Sequence, residues 1–303
     1  MSKFEKFEDD DEQHASGNNT KSMFEVKEPS PDYSREFRNE TLDEKFRNDP
    51  VRTWLKMLFP HFELFSLTTL YILILIVVFI IQLLVWLTSR WTCVTYHMGA
   101  NYTPAIHRWQ IHRLVFPTFV HNDFPHLGWN VFVLFAVGMN AEHYLGTVGY
   151  VVLIAASALL GNIFTAGFRH NLCNQSVGAS TVIMGIIGFE FLWFAFNWHK
   201  MRSSKWLYVL YICTIFLTTV MGTWASGHVV EFWGHLGGLI AGVCITCIFF
   251  TELQNIDLVR VARPGFFVFL ALAFFLAFMV MVFRDTSLCF PNLCNSKYYK
   301  IFE

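Results

Sequence analysis

The sequence has almost no excess charge of either sign. Its 22 Lys and Arg residues nearly balance its 23 Asp and Glu residues, which gives a formal net charge of −1. Nucleic-acid-binding domains are usually basic, so the bulk charge indicates no nucleic-acid partner. The chain also has no apolar stretch near its start, where MSKFEKFEDDDEQH is strongly acidic. We therefore expect neither a cleavable signal peptide nor a mitochondrial transit peptide.

The seven cysteines do not form the paired sets that are typical of a zinc site. Cys244 and Cys247 are separated by two residues, but they lie inside the apolar run GLIAGVCITCIFF, so we interpret them as packing residues. Cys289 and Cys294 follow the last apolar run. They would form a disulfide across a small loop if that end faces an oxidising compartment, or remain free thiols. The sequence leaves both alternatives open, and we predict no metal and no cofactor.

Charged residues are concentrated at one end of the chain. Residues 1–65 hold 15 acidic and 10 basic residues, whereas the rest of the chain carries 8 and 12. We predict that 1–65 is a largely disordered cytosolic tail. The body contains seven apolar runs, each close to the roughly 20 residues that cross a bilayer. These runs are 66–87, 126–142, 147–168, 179–198, 206–222, 234–251 and 264–283.

The seven runs predict an all-α fold, a polytopic membrane helical bundle, with a structured connection over 88–125. Basic residues near the ends of the spans indicate the orientation. The loops between the last four spans carry Lys200, Arg202 and Lys205, then Arg260 and Arg263, on one side. That side is assigned to the cytosol together with the N-terminus, so the C-terminus lies outside.

Two segments that begin spans carry groups suited to nucleophilic catalysis. Ser180, in the sequence GAST, begins the fourth span, where the helix dipole and free N–H groups favour a developing negative charge. His235, in GHLGG, begins the sixth span, and an imidazole at the edge of the bilayer core needs a partner. A serine hydroxyl is a weak nucleophile until a base takes its proton. Small residues would let these two spans approach closely: Gly185 and Gly188 on the fourth, Gly234, Gly238 and Gly242 on the sixth.

A third segment, HLGWN, begins the second span. His126 and Asn130 are four residues apart and therefore share one face of a helix. Both donate hydrogen bonds without carrying a fixed charge, as the groups of an oxyanion hole do. In the predicted topology the second, fourth and sixth spans all begin on the outer side. Their polar residues are therefore expected to converge at one depth.

Four motifs, in this order and spacing, resemble those of the rhomboid family of intramembrane proteases: FVHNDFPHLGWN, GMNAEHYLG, GAST and GHLGG. The resemblance covers about residues 88–251. It implies a rhomboid-like core of six transmembrane helices, 66–252, that cleaves transmembrane substrates with a Ser–His dyad. The segment 253–303 would add a C-terminal seventh transmembrane helix and a short tail, as in eukaryotic secretory-pathway members.

The resemblance also implies roles for individual residues. Ser180 would be the nucleophile and His235 its general base. His126 and Asn130, with the Ser180 backbone N–H, would form the oxyanion hole. Supporting positions are one glycine each of GAST and GHLGG and two polar residues. His121 would order the first long loop, and Glu142 would brace helix packing. The supporting residues are Gly178, His121, Glu142 and Gly238.

Three positions depart from the family pattern. Thr181 replaces the glycine that usually follows the nucleophile, and we expect its larger side chain to crowd the turn. Met184 stands where many members carry an aromatic residue against the histidine, so it would hold His235 less firmly. The Trp-Arg pair of the first loop reads His112-Arg113.

The predicted function is an intramembrane serine endopeptidase that cleaves single-pass transmembrane proteins near the outer or lumenal leaflet of a secretory-pathway or plasma membrane bilayer. The alternative is a rhomboid-like pseudoprotease that binds membrane clients without cleaving them. Retention of Ser180 and His235 argues against this alternative, and the departures keep it open. A proton-linked transporter using Glu142, Glu190 and His126 would usually be built from repeats, and none is visible. A purely structural lipid scaffold would leave the polar constellation unexplained.

Overall fold

The computed structural model describes residues 61, 63–198, 205–225, 232–250, 257–289 and 294. The predicted tail, apart from its last few residues, lies outside this set. The described part consists of α-helices joined by loops, with two 3₁₀ turns, Ile111–Leu114 and Phe116–Phe119, and a π-helical turn, Leu134–Gly138. The helices are α1 Leu67–Trp86, α2 Trp91–His97, α3 Thr103–Ile106, α4 Phe124–Val133, α5 Met139–Phe168, α6 Ser180–Asn197, α7 Lys205–Ala225, α8 Phe232–Phe249 and α9 Asp257–Phe283.

The first span coincides with helix α1. The Ser66 hydroxyl caps it by accepting a hydrogen bond from the Thr69 N–H at 3.0 Å. One face of the helix, which includes Leu75 and Phe79, is buried, whereas Ile80 on the other face is 51% exposed. An apolar face with no protein cover is what lipid contact requires. The predicted span 66–87 is therefore confirmed to within a residue at each end.

The second and third spans form one continuous helical stretch, Phe124–Phe168, of 45 residues. At 1.5 Å per residue this stretch would be about 68 Å long, twice the thickness of a bilayer core. Gly146 interrupts it with non-helical angles of φ 68° and ψ 170°. Glycine adopts this left-handed region readily because it has no Cβ. The prediction of two spans separated between residues 142 and 147 is confirmed.

The later spans also agree with the predicted runs. Helices α6, α7 and α8 match 179–198, 206–222 and 234–251 within three residues, whereas α9 begins at Asp257, seven residues before the predicted start, and continues through Pro264. By length and composition, five helical stretches in the described part can cross a membrane; α7 contributes a shorter apolar segment, Tyr208–Thr219. The chain is an all-α, multi-pass integral membrane protein.

The connection 88–123 is ordered, as predicted, and packs over one end of the bundle. It contains α2, α3 and both 3₁₀ turns. The Gln82 side chain of α1 fixes its last part by accepting from the His121 N–H at 3.1 Å and donating to the His121 carbonyl at 2.9 Å. The Tyr71 hydroxyl donates to the Thr118 carbonyl at 3.1 Å. The chain just before α4 is thus tied to the first span.

Two disulfides lie at this same end of the bundle, and their pairing corrects the sequence prediction. Cys173 is bonded to Cys289, and Cys93 to Cys294. Both alternatives for Cys289 and Cys294, a mutual disulfide or free thiols, are wrong. Sequence proximity was misleading because the fold brings partners from 116 and 201 residues away to Cα–Cα distances of 5.0 and 5.5 Å. Cys244 and Cys247 are buried in the core without a disulfide, as expected of packing residues.

Candidate active site

The turn that precedes α6 places Ser180 at the first position of the helix. Gly178 has φ +132°, a conformation that side chains disfavour, and its N–H donates to the Pro117 carbonyl at 2.8 Å. The Ala179 N–H points to Nε2 of His121 at 3.5 Å. The Ser180 side chain is 7% exposed. The first turn of a helix leaves its N–H groups without intrahelical acceptors, so Ser180 lies among free donors.

Glycines let α6 and α8 pack backbone to backbone beside Ser180. A Cβ added to Gly238 would overlap the carbonyl oxygen of Thr181, and one added to Gly242 would overlap the carbonyl of Gly185. Such close approach is the function of small residues at membrane helix interfaces. His235 lies within one turn of Gly238, and Ser180 precedes Thr181. The fold therefore brings the first turn of α6 against the first turns of α8.

The His235 side chain is 3% exposed. Neither of its ring nitrogens has a hydrogen-bond partner among the described residues, so His235 is not bonded to the Ser180 hydroxyl. Catalytic hydrogen bonds are often long or poorly aligned before substrate binds. Burying an imidazole with two unsatisfied nitrogens costs free energy, so we expect a hydrogen-bond partner for at least one of them.

Helix α4 carries two polar side chains toward the Gly178 turn. Asp123 caps this helix by accepting from the His126 N–H at 2.7 Å, and Pro125 lies in its first turn. A Cβ added to Gly178 would lie 2.7 Å from Cε1 and 2.8 Å from Nε2 of His126, and 3.8 Å from Nδ2 of Asn130. Asn130 Nδ2 is buried and makes no hydrogen bond to any described residue. Both side chains thus face the turn that leads to Ser180.

His121 lies next to the turn of Gly178 and Ala179, outside the membrane-spanning segments. It is fully buried, and its ring centroid is 5.1 Å from that of His126. Burial, reinforced by the neighbouring His126, holds the pKa of His121 well below its usual range. The ring is therefore neutral, and its Nε2 is placed to accept from the Ala179 N–H. This contact links the first loop to the residue before Ser180.

Comparison with known proteins identifies the fold that carries this site. A model of the Rhomboid domain matches residues 108–252. The chain is 32% identical over 223 residues to the Rhomboid-like protease 1 of Toxoplasma gondii, covering 69% of this chain and 72% of that protein. The chain belongs to the rhomboid family. It is also 32% identical to the Rhomboid-like protease 3 of Toxoplasma gondii, covering 52% of this chain and 59% of that protein. Identity to the Rhomboid-type serine protease 2 of Emericella nidulans is 24%, over 47% of this chain and 27% of that protein.

Glu142 lies at the opposite end of this rhomboid, away from Ser180. One carboxylate oxygen accepts from the Leu67 N–H at 2.8 Å, and the other accepts from the Thr68 N–H at 2.9 Å and from its hydroxyl at 2.8 Å. Negative charge at a helix N-terminus is stabilising. Glu142 therefore joins the start of α1 to α5, and Glu190, also remote from Ser180, binds Asn140 and Tyr208 in the core.

Two of the departures from the rhomboid pattern lie in the protein interior. The Thr181 side chain is 6% exposed and packs against Gly161 of α5 and Gly234 of α8. Space for it comes from two glycines on neighbouring helices. Met184 is 2% exposed and belongs to the main hydrophobic core.

Two features at the site were missed by the sequence reasoning. One is Gln82, which fixes the loop that carries His121. Its signal in the sequence is a single amide within the apolar run 66–87, because a polar group in a span needs a partner. The other is the Cys173–Cys289 disulfide, which anchors the loop before the Ser180 turn to the segment that follows α9, and no spacing rule gives this pairing.

Proposed function

We propose that this rhomboid is a serine endopeptidase that cleaves transmembrane helices, with Ser180 as nucleophile and His235 as general base. The observation that carries the proposal is the glycine-mediated packing of α6 on α8, which sets the first turns of the two helices side by side. Asn130 and His126 face the same turn and would stabilise an oxyanion. Gly178 and Gly238 permit the close approaches, and His121 orders the turn.

In the proposed reaction, His235 accepts the Ser180 hydroxyl proton as Oγ attacks a backbone carbonyl carbon of the substrate. The negative charge that develops on the carbonyl oxygen is held by Asn130, His126 and the Ser180 backbone N–H. The protonated His235 then donates its proton to the leaving amine as the C–N bond breaks. Water, deprotonated by the same imidazole, attacks the acyl-enzyme ester and releases the new carboxyl terminus, which regenerates the serine.

The site lies at one end of the bundle, so substrates would be cut near one leaflet rather than at the middle of the bilayer. A helical substrate must be locally unwound before a carbonyl can reach Ser180. Segments that contain Gly or Pro unwind more easily, because these residues have low helix propensity. We therefore propose single-pass transmembrane proteins with such residues near the outer leaflet as the substrate class. Equally fast cleavage of an uninterrupted Ala/Leu span would contradict this preference.

The test is cleavage of a labelled single-pass substrate by purified protein in proteoliposomes. Wild type is expected to cleave, whereas Ser180→Ala and His235→Ala are not. Matched controls are Ser157→Ala, a buried serine on α5, and His97→Ala, an exposed histidine on α2, and both should keep activity. Cleavage that survives in either dyad variant would refute the dyad. Substrate binding without cleavage by wild type would instead support the pseudoprotease.

We also propose that the Ser180 end of the bundle faces an oxidising compartment, with the N-terminus in the cytosol. Cys173–Cys289 and Cys93–Cys294 both lie at that end, and disulfides persist in extracellular or lumenal environments. The orientation of the core, 66–252, and of the added C-terminal helix follows from this. Sealed microsomes test it, because a membrane-impermeant maleimide added after reduction should reach these cysteines only from the lumenal side. Labelling from the cytosolic side would reverse the topology.

A further inference from the structure

Thr181 lies at the point where three helices of the bundle meet. A Cβ added to Gly161 of α5 would be 2.8 Å from Thr181 Cβ and 2.9 Å from its Cγ2, and also 2.8 Å from the Gly234 carbonyl. A Cβ added to Gly234 of α8 would be 3.3 Å from Thr181 Cγ2. The Thr181 methyl group therefore fills a notch whose walls are the backbones of α5 and α8.

The same residue also contacts α8 through its backbone. A Cβ added to Gly238 would overlap the Thr181 carbonyl oxygen. The side chain and the carbonyl of Thr181 thus contact two glycines that are one turn apart, and His235 is between them in sequence. Both contacts lie beside Ser180 in α6 and beside His235 in α8, where Thr181 separates the two helices.

We propose that Thr181 is a positioning residue, whose methyl group acts as a spacer that sets the Ser180–His235 geometry. The inference rests on the proposed dyad and adds a residue that itself touches no substrate. The backbone of this turn is held by intrahelical bonds such as that from the Ile183 N–H to the Ala179 carbonyl at 3.0 Å, whereas the Thr181 side chain is held among the described residues by packing alone. Packing in protein interiors is dense, so removal of one methyl group moves the surrounding atoms.

The methyl group, and not the hydroxyl, carries the proposed role. Thr181 Oγ1 is buried and forms no hydrogen bond with any described residue, so its loss removes no bond. Valine has nearly the same shape and the same branching at Cβ as threonine, whereas serine keeps the hydroxyl and loses the methyl. The two replacements therefore separate a spacer from a hydrogen-bonding residue.

The experiment measures the second-order rate of Ser180 labelling by a fluorophosphonate, together with kcat and KM for a transmembrane substrate. Thr181→Val should match wild type. Thr181→Ser and Thr181→Ala should lose about tenfold in labelling rate and kcat with KM unchanged, since a displacement of about 1 Å costs about a hundredfold and a smaller one less.

Thr219→Ser is the matched control, because Thr219 of α7 is also buried with an unbonded hydroxyl. This change should lower the melting temperature without changing the labelling rate. Full activity of Thr181→Ser, or a loss in Thr181→Val equal to that in Thr181→Ser, would overturn the spacer. A wild-type protein that is never labelled at Ser180 would overturn the proposed protease function and the spacer with it.

Discussion

Replacing Gly178 by alanine should separate catalysis from folding. The alanine Cβ would lie 2.7 Å from Cε1 of His126, well inside the roughly 3.5 Å of a normal carbon contact. The imidazole must rotate away from the Gly178 turn. Removal of one oxyanion donor costs about 10²- to 10³-fold in kcat, so we expect a loss of that order. The φ of +132° adds backbone strain of about 1–3 kcal/mol to the folded state.

Gly146→Ala is the matched control for this prediction. Gly146 also has positive φ, +68°, but a Cβ there meets no atom within 4 Å. This variant should therefore lose stability of the same order, about 1–3 kcal/mol, and keep its activity. The assay pairs thermal denaturation in detergent with the rate of fluorophosphonate labelling, measured well below both melting temperatures.

Equal fractional losses of labelling rate in the two alanine variants, at equal fractions folded, would contradict a specific role for the Gly178 turn. Labelling of Gly178→Ala at the wild-type rate would show that His126 contributes nothing to the oxyanion. A labelling loss confined to Gly178→Ala, with similar melting temperatures for both variants, is the expected result.

Two further variants test the surroundings of the site. The pKa of His121 lies below its ordinary value of 6.5, so the folded state binds fewer protons than the unfolded state, and stability falls as the pH drops below about 6.5. The free energy of unfolding, measured at pH 7.5 and 5.5, should depend less on pH in His121→Asn than in wild type, by up to about 1.4 kcal/mol per pH unit. An equal pH dependence in the two proteins would contradict the buried neutral ring. Glu142→Gln weakens the cap of α1 and should cost about 1–2 kcal/mol without changing the labelling rate, whereas the exposed Glu63→Gln should change neither.

The sequence predicted the spans because apolar run length is set by the bilayer. Runs such as 66–87 have few polar interruptions, and Gly146, where the structure interrupts the helix, lies in the predicted gap between the second and third spans. The end of α9 was predicted correctly, but its start was not. A helix that emerges from the membrane continues through charged residues, and Pro264 did not end it.

The candidate site was predictable in part. Motif order placed Ser180, His235, His126 and Asn130 at the beginnings of spans, and the fold brings those beginnings together. The accommodation of Thr181 was not predictable, because the space comes from Gly161, a residue of another helix.

The pairing of the disulfides was likewise not predictable from the sequence. Cys93 and Cys294 pair across 201 residues, a contact that only the folded connection creates. Local patterns therefore specify where each helix begins, whereas long-range contacts decide what surrounds it.

An experimental structure of the protein after reaction with a fluorophosphonate would test the Ser180–His235 dyad most directly. We predict phosphorus bonded to Ser180 Oγ, a His235 ring nitrogen within about 2.6–3.2 Å of that oxygen, and the phosphoryl oxygen facing Asn130 and His126. An adduct on a different residue, or a His235 ring directed away from Ser180, would contradict the proposed mechanism.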